Sequence, residues 1–153
     1  MTGPAAQSQR GERVVQTLFQ LGFWVPLAVC TYLALVPRLP DTPLFQVSDI
    51  GLHAVAFTYL SFALLLAQSA RGNGELVPSL VEGRPRPEHY FSTFGLMLAY
   101  GVFIELVQAF VPERAAEMKD LLVDVAGIAF GLLLGRFLVQ PLRRLALRLT
   151  ARL

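Results

Sequence analysis

Apolar residues run along this chain in four long blocks separated by short polar segments that carry prolines. The blocks cover residues 14–36, 49–68, 90–111 and 121–139. Each reaches the roughly 17–25 residues that a helix needs to cross a hydrocarbon core of about 30 Å. The pattern therefore predicts an all-α polytopic membrane protein with four transmembrane helices. Pro26 lies inside the first block and predicts a kink there, because proline removes an intrahelical hydrogen bond. That block exceeds the usual signal-peptide core of about 7–15 residues and no clean small-x-small cleavage site follows it, so it reads as a retained helix. Residues 1–13 read as a disordered tail, and residues 70–89, with Gly72, Gly74, Pro78, Pro85 and Pro87, read as an irregular loop rather than a second domain. The four-helix domain then occupies residues 14–140, and no internal repeat is evident.

Composition supports a lipid environment. The chain is 54% hydrophobic and 16% charged, against roughly 45–50% and about 25% in soluble domains, and its mean hydropathy is +0.53. A net charge of +2 raises the question of nucleic acid, but no basic stripe interleaved with aromatics exists and the arginines flank apolar blocks. The partners implied are membrane lipids, with no nucleic acid. The single cysteine, Cys30, excludes an internal disulfide and a cysteine-based metal site.

Basic residues orient the helices. If the helices alternate, ten basic residues fall on one side: Arg10, Arg13, Arg71, Arg84, Arg86, Arg136, Arg143, Arg144, Arg148 and Arg152. Arg38, Arg114 and Lys119 complete the thirteen on the other side. Both termini are expected in the cytoplasm, with the segments 37–48 and 112–119 outside. Residues 141–153 set Leu142, Leu145, Leu149 and Leu153 against Arg143, Arg144, Arg148 and Arg152. This reads either as a C-terminal amphipathic helix on the anionic membrane surface or as a plain basic stop-transfer tail.

Ionisable residues inside spanning helices are costly, so where they gather is informative. They gather toward the outer side. The second helix begins with Asp49 and His53, four apart, the third carries Gly101, Glu105 and Gln108 on one face, and the fourth opens with Asp120 and Asp124. The face of Asp124 continues as Gly127, Gly131 and Gly135, a spacing that lets helix backbones approach closely in lipid. At 1.5 Å per residue, His53 and Asp124 lie about 5–6 Å inward and Glu105 about 9 Å. Three helices thus deliver polar groups to one shallow, outward-opening layer, capped by a short loop with Arg114.

The candidate ligand-binding set is Asp49, His53, Glu105, Gln108, Arg114, Lys119, Asp120 and Asp124. Simpler roles compete for each. His53 bonded to Asp49 or Glu105 locks two helices together, and Gln108 is interhelical glue. Asp120 caps the fourth helix at its positive end, while Arg114 and Lys119 neutralise carboxylates. Glu105 and Asp124 resist such readings, because a neutral residue packs more cheaply at that depth. No cofactor or metal is assigned, since no His-rich triad is complete. Four carboxylates, Asp49, Glu105, Asp120 and Asp124, outnumber Arg114 and Lys119. The excess requires a protonated carboxyl, a charged His53, a bound cation, or the amine of a ligand or headgroup.

These residues, in this order, resemble the VanZ-like family of bacterial membrane proteins. The resemblance rests on Asp49 and His53, then Glu105 and Gln108, then Pro112 and Arg114, then Lys119, Asp120 and Gly127, and it runs from about Asp49 to Gly135. The chain departs from the family pattern at Ile50, where lysine is frequent, at Phe57, where tyrosine is frequent, and at Asp124, where asparagine is usual. The resemblance implies a place in the bacterial cytoplasmic membrane and cell envelope and, for the name-giving members, low-level antibiotic resistance to lipoglycopeptides such as teicoplanin. It implies no reaction.

Three functions follow as expectations. The first is an envelope protein that binds a lipid, a lipid-linked cell-wall precursor or a lipophilic glycopeptide in the outer polar layer. The second is an intramembrane enzyme with His53, Glu105 and Asp124 as catalytic candidates and Arg114 or Lys119 steadying a phosphate. Against it, no cysteine nucleophile lies near the cluster. The third is an assembly subunit of another membrane protein.

Overall fold

The computed structural model describes residues 4–37, 49–70, 85–112 and 118–150, and their side chains except those of residues 4–9, 49 and 150. Its regular structure among these residues is helical: α1 spans Pro4–Leu35, α2 Asp49–Ala70, α3 Pro87–Gln108 and α4 Met118–Thr150. Each contains a stretch long and apolar enough to cross a membrane. Apolar side chains point both ways. Leu60, Leu65, Ile128 and Val139 are fully enclosed, whereas Tyr32, Val55, Phe91, Phe103, Phe110 and Leu122 face outward. A water-soluble bundle would not sustain such a surface; in lipid it costs nothing.

The tightest pair is α2 with α4, and the glycines of α4 explain why. A Cβ on Gly127 would lie 3.0 Å from the Ala54 carbonyl oxygen and 3.1 Å from Cβ of Phe57. One on Gly131 would collide with the carbonyl oxygen of Thr58, and one on Gly135 with the side chain of Leu65. Removing three side chains from one stripe lets the α2 backbone sink onto α4, which is how helices attract each other where lipid supplies no hydrophobic drive.

At the end of the bundle where α2 finishes and α3 begins, polar side chains fasten the helices. Gln68 Oε1 accepts hydrogen bonds from Ser92 Oγ at 3.0 Å and Thr93 Oγ1 at 3.2 Å. Arg143 Nη1 donates to the carbonyl of Ser69 at 3.0 Å, satisfying a group that the last turn of α2 leaves open.

One expectation at the termini is corrected. Residues 4–13, read as part of a disordered tail, belong to α1. Pro4 stands at the helix start, where it removes no bond, and Ala5, Ala6, Gln7, Gln9, Arg10 and Glu12 are strong helix formers. The segment after Pro141, read as a C-terminal amphipathic helix, is helical and continuous with α4, which runs through the proline to Thr150. The proline forfeits one hydrogen bond, but Leu142, Arg143, Arg144 and Leu145 favour helix on its far side. Leu142, Leu145 and Leu149 remain exposed as one apolar row.

Candidate functional site

The polar layer forms where α1 and α3 end and α2 and α4 begin. His53 stands one turn inside α2, and its Nδ1 lies 2.8 Å from Oδ1 of Asp124 on α4. A carboxylate only accepts, so opposite an ionised Asp124 it is Nδ1 that carries a proton and donates. Asp124 is almost completely enclosed, at 1% exposure, because the glycine stripe of α4 that begins three residues later draws α2 over it. Its second oxygen, Oδ2, is buried without a hydrogen-bond partner among the described residues.

Helix α3 closes the site through Gly101. A Cβ at this position would stand 2.9 Å from Asp124 Oδ2 and 3.3 Å from the Phe57 ring, so a side chain there would require one or both to shift. One turn further along the same face comes Glu105, which is buried. One donor atom from each of His53, Glu105 and Asp124 lies within 4.8 Å of the other two. Asp120, one turn before Asp124, is also buried, at 7% exposure. Both Asp120 and Glu105 fall within electrostatic reach of the imidazole.

The floor of the layer is aromatic. The Phe57 ring stacks on His53 with centroids 6.2 Å apart and planes 11° from parallel, and Tyr100 lies 5.7 Å beyond. The Tyr100 hydroxyl shares a 2.9 Å hydrogen bond with Thr31 of α1. Sequence reasoning missed this floor. Phe57 stands four residues after His53 and therefore on the same helix face, a signal that was present. Tyr100 gave none, since its partner is on α1.

Of the eight candidate residues, the structure gathers His53, Glu105, Asp120 and Asp124 in this layer. Gln108 is turned away from the others: its Nε2 donates to the carbonyl of Ala34 at 3.0 Å, tying α3 to α1. Lys119 is exposed on the first turn of α4. Asp49 opens α2, but its side chain, like Arg114 as a whole, lies outside the described residues. Helix α3 ends at Gln108, three residues beyond Glu105 or about 4.5 Å along the axis. Asp124 stands six residues, or about 9 Å, into α4. Past Gln108 the chain tightens into turns, with Phe110 N–H bonding the Val107 carbonyl and Val111 N–H that of Gln108, both at 3.0 Å.

Chemically the layer offers a carboxylate-oriented imidazole, two further carboxyl groups and an apolar floor. That set suits a positively charged or hydrogen-bond-donating group, proton transfer, or a metal ion. Sequence reasoning assigned no metal because histidines were too few; in the folded bundle, carboxylates stand where further histidines would be needed. A family model described as VanZ/LLP1 matches residues 4–139. No curated protein and no solved structure matches the chain.

Proposed function

Starting from the chain's membership of the VanZ/LLP1 family, we propose that this multi-pass membrane protein lies in the bacterial cytoplasmic membrane and binds the polar head of an amphipathic envelope ligand. The observation that carries this reading is the convergence of His53, Glu105 and Asp124 from three helices within 4.8 Å. Buried carboxyl groups cost more than apolar side chains of similar size, and intramembrane ionisable groups mark functional sites by default. The ligand classes are a lipid, a lipid-linked cell-wall precursor or a lipophilic glycopeptide such as teicoplanin. The ten-to-three division of basic residues supports an outer-face position for the layer, within reach of such ligands.

A second reading rests on the His53–Asp124 hydrogen bond of 2.8 Å. A carboxylate that holds one ring nitrogen protonated prepares the other as a general base. On this reading the protein is an intramembrane enzyme acting on a lipid-linked substrate, with Glu105 as the proton donor.

Glu105→Gln tests the first reading, because it preserves shape and removes the ionisable proton. The variant is expected in the membrane at normal abundance with the envelope or teicoplanin phenotype lost. Full activity at normal abundance would reduce the cluster to a scaffold. The enzyme reading additionally requires that His53→Gln abolish turnover of a lipid-linked substrate while leaving its binding intact.

A further inference from the structure

We propose that His53, Glu105 and Asp124 form a binding site for one divalent first-row cation, of the class of Mn2+ or Zn2+. The site goes beyond the headgroup reading and does not depend on it.

The donors are the first support. One imidazole and two carboxylates is a mixed nitrogen and oxygen set, which first-row cations accept, whereas Mg2+ and Ca2+ favour all-oxygen surroundings. Each donor comes from a different helix, α2, α3 and α4, so the spacing is set by packing rather than by a single turn. The three atoms lie within 4.8 Å of one another. Bonds of about 2.0–2.2 Å to a shared ion require neighbouring donors roughly 3–3.5 Å apart. His53 Nδ1 and Asp124 Oδ1 already stand 2.8 Å apart, so the ion takes the place of the proton between them and the neutral ring carries its proton on Nε2 instead. Rotation of the long Glu105 side chain brings in the third donor.

The second support is independent of spacing. Asp124 Oδ2 is enclosed and has no hydrogen-bond partner among the described residues, while its sister oxygen is held by His53 at 2.8 Å. Buried acceptors are nearly always satisfied, and one left open signals an ion or water. Charge points the same way. Glu105, Asp120 and Asp124 are all buried in one layer, and a divalent ion offsets two carboxylates without asking either to hold a proton. The His53 side chain keeps 13% exposure, which gives an ion a way in from the end of the bundle.

Purified full-length protein in lipid nanodiscs, stripped with EDTA and titrated with Mn2+, tests the site by the loss of the free-ion electron paramagnetic resonance signal. The expected result is one saturable Mn2+ per chain, displaced by Zn2+ and not by equal Mg2+, with a higher Tm in the bound state. Asp124→Asn and Glu105→Gln should each remove the saturable signal. Glu88→Gln, an exposed residue at the other end of α3, should retain it. Helical content and monodispersity establish that each variant folds, and His53→Gln replaces one that does not. Absence of saturable Mn2+ and Zn2+ binding to the unsubstituted protein overturns the proposal without any variant, as does binding that survives all the cluster substitutions. Because no lipid or antibiotic enters the measurement, failure here leaves the headgroup reading intact, and loss of phenotype in Glu105→Gln without cation binding separates the two.

Discussion

Gly101 on α3 is the back wall of Asp124: a Cβ at 101 would stand 2.9 Å from the aspartate Oδ2, closer than packed atoms tolerate. The contact makes the position of one carboxylate depend on the absence of one methyl group. Gly101→Ala is therefore expected to displace Asp124 or separate α3 from α4, at about 1–3 kcal/mol for overpacking. Gly95 has nothing within 4 Å of its Cβ position, so Gly95→Ala should leave Tm in detergent unchanged or slightly raised. Equal losses in the two variants would contradict the contact.

The α2–α4 seam predicts a second asymmetry. Gly131→Leu drives a side chain into the Thr58 carbonyl and Ser61, whereas Leu133→Ala shortens a residue that is 51% exposed on the lipid-facing side. The glycine variant should lose most of its folded yield, and the leucine variant should unfold within a few degrees of the parent. Thermal unfolding followed by size-exclusion chromatography measures both.

His53 and Asp124 should be energetically coupled. A double-mutant cycle with His53→Ala and Asp124→Ala, run in EDTA so that cations play no part, should return an interaction energy of about 0.5–3 kcal/mol. Additive effects would mean that the 2.8 Å hydrogen bond does not form in the folded protein.

Arg143 and Arg148 share the basic row of α4 but differ in what they touch. Arg143 donates to the Ser69 carbonyl at 3.0 Å, and Arg148 is exposed. Arg143→Ala should cost about 1.5–3 kcal/mol, the range for a hydrogen bond to a charged group. Arg148→Ala should cost little. Denaturation of the two in matched micelles is the comparison.

The orientation can be read by labelling. In a Cys30→Ala background, a membrane-impermeant thiol reagent added outside the cell should modify Met118→Cys and spare Glu88→Cys, since both parent residues are exposed at opposite ends of the bundle. The reverse pattern would turn the polar layer toward the cytoplasm and remove the outer-leaflet ligands from consideration.

Much of this protein was legible in its sequence because lipid imposes a simple rule: every backbone group must be satisfied within its own helix, so a long apolar block has few alternatives. The four spans, the α4 glycines, and the residues His53, Glu105 and Asp124 on three faces followed from length and spacing alone. Helix ends did not follow, since hydropathy falls off gradually while hydrogen bonds stop abruptly. That is why α1 begins as early as Pro4 and α4 passes Pro141. Nor could spacing say which polar residues would meet. Gln108 and Glu105 share a face of α3, yet Gln108 reaches the Ala34 carbonyl of α1 while Glu105 turns to His53 and Asp124. Partners on different helices depend on how far each helix rotates and slides against its neighbours. Here the side chains missing from Gly101, Gly127 and Gly131 set that rotation, and only the packed bundle shows what fills the space they leave.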